Sequence, residues 1–147
     1  MEVAVQVAIV SAALGIISAS ATFYFTKRAE RRDQLQERKR GHYGQLLCAI
    51  SDLASDGVDQ RKANEQFNRA VNTIVLVAPQ KVVQAVMAFH DEIKISNPNR
   101  TQEGHDERLN ELVLAIRESL ELPFPDDSST FRVHLVGRKP QFGNKHW

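Results

Sequence analysis

Between Glu2 and Lys27 the chain runs for 24 residues without a charged side chain, and Lys27, Arg28, Arg31 and Arg32 follow almost at once. At 1.5 Å per residue a helix of that stretch reaches about 36 Å, enough to cross a hydrocarbon core of about 30 Å with some tilt. A helix buried in a water-soluble core rarely stays uncharged for so long. The stretch therefore predicts a transmembrane helix over residues 1–26, with the remainder held beside a membrane. Its strongly apolar residues run from Val3, Val5, Val7, Ile9 and Val10 through Leu14, Ile16 and Ile17 to Phe23 and Phe25, diluted by alanine, serine and threonine. On an insertion scale they supply roughly −3 to −6 kcal/mol before the polar residues subtract. Insertion is favourable by a narrow margin. Gln6 lies close enough to one end to reach the interface, and Tyr24 sits where an aromatic belt is expected.

A cleaved signal peptide would account for the small residues from Ala19 to Ala21, but it carries its positive charge ahead of the apolar run, where this chain has Glu2. With the basic cluster behind the span, the positive-inside rule places the amino terminus outside and the body in the cytoplasm. The one cysteine, Cys48, fits a reducing compartment and excludes an internal disulfide. Within the span Ser11, Gly15 and Ala19 form a ladder of small residues four apart, and Ala4, Ala8 and Ala12 form another. Such ladders let two helix backbones approach closely, so self-association through Ser11, Gly15 and Ala19 is one expectation. An alanine-rich span also produces them by composition alone.

Residues 27–40 hold seven basic side chains (Lys27, Arg28, Arg31, Arg32, Arg38, Lys39 and Arg40) against Glu30, Asp33 and Glu37. Residues 41–147 are close to neutral, with 12 basic and 14 acidic side chains. The positive charge is concentrated next to the span, where each basic residue is worth about 1 kcal/mol against an anionic leaflet. Those seven residues are the expected contacts with lipid head groups. Only Ala29 and Leu35 are apolar here, so residues 27–40 read as a solvated helical stalk. Nucleic acid is the competing partner for a basic cluster, but no aromatic residues are interleaved and topology already explains the charge. No nucleic-acid partner is expected.

The helical period returns four times in residues 41–122. Tyr43, Leu46, Leu47, Ile50 and Leu53 share one face, and Asp56 and Gly57 end that helix with a residue that accepts the left-handed conformation. Phe67, Val71, Ile74 and Ala78 mark a second helix stopped by Pro79, which suits the first turn of a third carrying Val82, Val86, Phe89 and Ile93. Residues 96–99 form a turn by composition. Thr101 then caps a fourth helix with acidic Glu103, Asp106 and Glu107 near its start and Leu109, Leu112, Val113, Ile116 and Leu120 as its stripe. Each stripe is a single face, so the four are stable only against one another, as a small antiparallel bundle with short connections. Residues 122–127, with two prolines and two aspartates, break the pattern. Phe131, Val133 and Leu135 then alternate, which suggests a short strand or extended segment that lies along the bundle or pairs with a second copy. Residues 123–147 are thus an extended segment and a polar tail, the latter over 138–147, with Trp147 unassigned.

No catalytic motif stands out. The triplet His-Asp-Glu occurs at 90–92 and 105–107, on either side of the 96–100 turn, so the two copies could meet at one end of the bundle. Imidazole and carboxylate suit a divalent metal or an acid and base pair. Adjacent helical residues point about 100° apart, however, so a triplet cannot converge on one ion, and helix-end chemistry accounts for the same residues. Cys48, between Leu47 and Ala49, reads as a small core residue with His42 the nearest activator of its thiol. There is no nucleophile motif or glycine-rich phosphate loop, and no cofactor or metal is expected. The polar turn carrying Asn97, Asn99 and Arg100 is the most distinctive loop, either a partner contact or what an interhelix turn requires.

The order of span, basic stalk and 43–53 helix, followed by Val77-Ala78-Pro79, His-Asp-Glu-Ile, Ser-Asn-Pro-Asn-Arg and Leu-Ala-Ile-Arg, resembles uncharacterised single-span inner-membrane proteins of bacteria. The resemblance covers nearly the whole chain. It implies a bacterial inner-membrane setting and an all-helical cytoplasmic domain, and it transfers no functional residue. The expected function is a membrane-anchored interaction or scaffold module, not an enzyme, whose partners are anionic lipid and either a second copy or another protein. The alternative is a small metal-dependent or hydrolytic enzyme built on the two His-Asp-Glu stretches, and an inhibitor of a target in the same membrane is a third reading.

Overall fold

Four stretches of helical period become four helices, α1 (Glu2–Leu53), α2 (Gln60–Ile74), α3 (Gln80–Ile93) and α4 (Gln102–Ser119). The computed structural model describes residues 2–55, 57–123 and 126–135, and the side chains of residues 9, 10, 12 and 13 are outside that description. The fold is all-α, with no strand among the described residues. It divides into two compact units, Met1–Glu37 and Arg38–Trp147.

In the first unit the described apolar side chains of α1 are exposed. Val3 is 73% exposed, Ile16 68% and Phe25 66%. Ser18 Oγ and Thr22 Oγ1 donate to the carbonyls of Leu14 and Ser18, four residues back, which satisfies both hydroxyls within the helix. Among the described residues no helix is long and apolar enough to cross a membrane. Ile9, Val10, Ala12 and Ala13, in the middle of the uncharged stretch, are the residues whose side chains lie outside the description.

In the second unit the end of α1 contributes Tyr43, Leu46, Ala49 and Ile50 to a core completed by Phe67, Val71 and Ile74 of α2, Val82, Val86 and Phe89 of α3, and Leu109, Leu112, Ala115 and Ile116 of α4. The contacts fix the directions of the helices. Lys81 at the start of α3 pairs with Glu118 at the end of α4, while Phe89 near the end of α3 meets His105 at the start of α4. Tyr43 shares a 2.7 Å hydrogen bond with Ser119 at the end of α4, and Ile50 and Leu53 lie beside His105 at its start. Neighbouring helices thus alternate in direction, and one end of the bundle gathers the finish of α1 and α3 with the beginning of α2 and α4.

Helix ends follow their local chemistry. Asp59 caps α2, its carboxylate accepting from the backbone N–H groups of Arg61 and Lys62, and Thr101 caps α4 by accepting from Gly104 N. Pro79 stands as the residue before α3, one place earlier than a first-turn proline, because its extended backbone already releases the chain from the preceding turn. Gly57, at φ +86°, takes the left-handed conformation expected of it. Residues 131–135 form no strand: with no sheet edge to pair with, they lie on α4. Val133 N donates to Asn110 Oδ1 at 2.6 Å, and Leu135 packs against the core.

Cys48 is a correction. It is exposed, because the buried stripe runs through Leu46, Ala49 and Ile50 and leaves position 48 on the opposite side of the helix. The expectations placed on Asp56, Phe124, Pro125, Val136 and the 138–147 tail with Trp147 lie outside the described residues.

Candidate functional site

The end of the bundle where α1 and α3 finish and α2 and α4 begin carries a cavity of about 510 Å³. Both histidines of the repeated triplet line it, together with Arg100 from the turn between them. The 96–100 turn is what folds α4 back on α3 and so brings positions 90 and 105 to one place. Asn97 organises that turn: its Nδ2 donates to the carbonyl of Glu92 at 3.1 Å, and its Oδ1 accepts from Asn99 N at 3.0 Å. Asn97 and Asn99 therefore serve the chain reversal itself, as an Asx turn does. Arg100 has no such duty.

The carboxylates of the two triplets diverge. Asp91 pairs with Lys94 at 3.0 Å, which holds its carboxyl below the usual range. Glu92 Oε1 accepts from Thr101 N at 3.1 Å, tying the end of α3 to the start of α4. Gly104 permits this approach, since a Cβ there would stand 2.7 Å from Glu92 Oε1. Asp106 Oδ1 receives Gln102 Nε2 at 2.8 Å and lies 3.1 Å from His105 Nδ1. Among the described residues no three His, Cys, Asp or Glu side chains are grouped to hold a metal ion. The two imidazoles thus share a cavity, while Asp91 and Asp106 each lie against the histidine of their own triplet and Glu92 is bound to the start of α4.

What the triplets do share is an aromatic seam. His90 stacks on Phe67, with ring centres 6.2 Å apart and planes 11° from parallel. Phe67 meets Phe89 edge to face at 6.4 Å, and Phe89 meets His105 edge to face at 5.3 Å. Four rings thus cross the core from one histidine to the other. One wall of the cavity includes Gln60, Asn64 and Asn68 of α2. Sequence reasoning assigned no site role to that wall, although its spacing of four places the three amides on one helical face.

The remaining expected site residues lie on α1. Lys27 pairs with Glu30 at 2.7 Å and stands 5.9 Å over the ring of Phe23. Lys39 donates to the carbonyl of Ser119 at 3.4 Å, meeting one of the last carbonyls of α4. Arg28, Arg31, Arg32, Arg38 and Arg40 share that helix. Ser11 and Ala19 are exposed, and nothing lies within 4 Å of a Cβ built on Gly15. Among the described residues the ladder Ser11, Gly15 and Ala19 is thus exposed.

No protein family, curated protein or solved structure matches this chain.

Proposed function

We propose that this chain is a single-span, membrane-anchored interaction module that holds a four-helix bundle at the cytoplasmic face of a bacterial inner membrane. The observation that carries the reading is the run of 24 uncharged residues ending in a basic cluster, with Ile9, Val10, Ala12 and Ala13 counted in it. Val3, Val5, Val7, Leu14, Ile16, Ile17, Phe23 and Phe25 of α1 support it, each being more than half exposed. Exposed apolar surface on that scale calls for lipid or another protein as cover. The seven basic residues of 27–40 then lie against anionic head groups and keep the bundle on the cytoplasmic side.

Anchoring makes weak contacts count, because confinement to a surface raises the effective concentration of the bundle for its partners. Self-association through Ser11, Gly15 and Ala19 would act in the same direction. A charge tests the anchor. The apolar residues of the stretch supply roughly −3 to −6 kcal/mol before the polar residues subtract, and an arginine at a helix centre costs about 2.5–3.5 kcal/mol, so Ile17→Arg should move much of the full-length chain out of the membrane fraction. An Ile17→Arg chain that sediments with membranes as fully as the unmodified one contradicts the reading. Cross-linking on native membranes tests the interaction half, and recovery of nothing but uncross-linked single chains would count against it.

A further inference from the structure

The cavity at the end of the bundle has a sign and a texture. Among the described residues lining it are Arg100, Lys94, His90 and His105, and no carboxylate. In a chain with 19 basic and 18 acidic side chains that segregation is not a reflection of overall composition. Two helix beginnings and two helix finishes meet at this end, so their partial charges oppose one another and the side chains decide the polarity. Lys94 is partly neutralised by Asp91 at 3.0 Å. Arg100 is the cation left for a ligand: no ion pair engages it among the described residues. Its planar fork suits two oxygens of one anionic group.

The rest of the lining is not what a bare inorganic ion needs. Phe67, Phe89 and the ring of His90 line the cavity on its aromatic side, Leu53 and Ile93 add aliphatic surface, and Ile95 is 91% exposed. An apolar residue that exposed, lining the same cavity as Arg100, offers an apolar contact in addition to the cationic one. Gln60, Asn64 and Asn68 add amide groups along one wall, able to donate to and accept from a polar edge. A volume of about 510 Å³ accommodates a molecule of metabolite size.

We infer that this cleft binds a small organic anion with a flat apolar body, its charged group on Arg100 and its body between Ile95 and the His90–Phe67 stack. The inference is independent of the membrane anchor, since every residue in it belongs to the Arg38–Trp147 unit.

The test uses the purified full-length chain in a non-ionic detergent and 4-fluorophenyl phosphate, followed by fluorine NMR. Saturable binding is expected, weakened about tenfold or more by Arg100→Ala, as loss of a charged hydrogen-bond partner implies. Ile95→Ser, at an exposed position that leaves the core intact, should weaken it severalfold. Absence of saturable binding overturns the inference, and so does equal affinity in Arg100→Ala. The body and the charge are separated by two controls. If 4-fluorophenol binds as tightly as the phosphate, the site is merely apolar; if inorganic phosphate displaces the probe at equal concentration, the body contributes nothing. Either result refutes the inference in the form given.

Discussion

Single residues set the geometry of the bundle where backbone or hydrogen bonding leaves little choice. Gly57 stands at φ +86°, a conformation that costs an L-residue about 1–2 kcal/mol, so Gly57→Ala should lower the unfolding free energy by about that amount in a denaturant titration. Tyr43 is buried, and burial raises its pKa above the ordinary value of 10.0, partly offset by the hydrogen bond with Ser119. A raised folded-state value means that the contribution is whole below the unfolded value and disappears as pH climbs through the folded one. Stability should therefore fall on the alkaline side of 10, and Tyr43→Phe should flatten that fall while costing about 1 kcal/mol near neutrality through the unpartnered Ser119 hydroxyl. An alkaline profile unchanged by Tyr43→Phe would show that another group governs it.

Among the elements, the segment after α4 is tied to the bundle through side chains. Arg117 grips Asp126 through two hydrogen bonds, Nε to Oδ2 at 2.7 Å and Nη2 to Oδ1 at 2.9 Å, and its guanidinium lies 5.6 Å from the Phe131 ring centre. Asp127 folds the next turn by accepting from Ser129 N and Oγ, contacts that lower its pKa. Arg117→Ala should speed hydrogen exchange at the Phe131 and Val133 amides while leaving the α3 and α4 cores protected; unchanged exchange there would mean Asn110 and Leu135 suffice. The helices were legible in the sequence because each stripe repeats at the helical period: Phe67, Val71 and Ile74 announce α2, and Leu109, Leu112 and Ile116 announce α4. Ala63 and Ala115, buried as deeply, were not, since alanine is equally at home on a surface. Period alone does not assign every small apolar residue to the core: Cys48 sits between two apolar neighbours and is exposed. The cleft was half legible. The repeated triplets and the turn between them suggest that the two copies could approach at one end of the bundle, where His90 and His105 do line one cavity, but the aromatic seam between them depends on the register of α2 against α3, which no local pattern carries.

In the whole molecule one chain carries both a helix with an exposed ladder of small residues and a bundle with a cationic cleft. If copies associate through the ladder, Gly15→Ile should abolish the signal in a membrane helix-association reporter, because a bulky side chain keeps the backbones apart. An unchanged signal would move the contact elsewhere. The anchor itself is the central claim, and the exposed thiol of Cys48 reports on it from within the bundle. In carbonate-washed inverted inner-membrane vesicles Cys48 should react with an impermeant maleimide, and in intact spheroplasts it should stay unlabelled until they are lysed. Loss of the chain from the washed vesicles, or labelling in intact spheroplasts, would contradict the account.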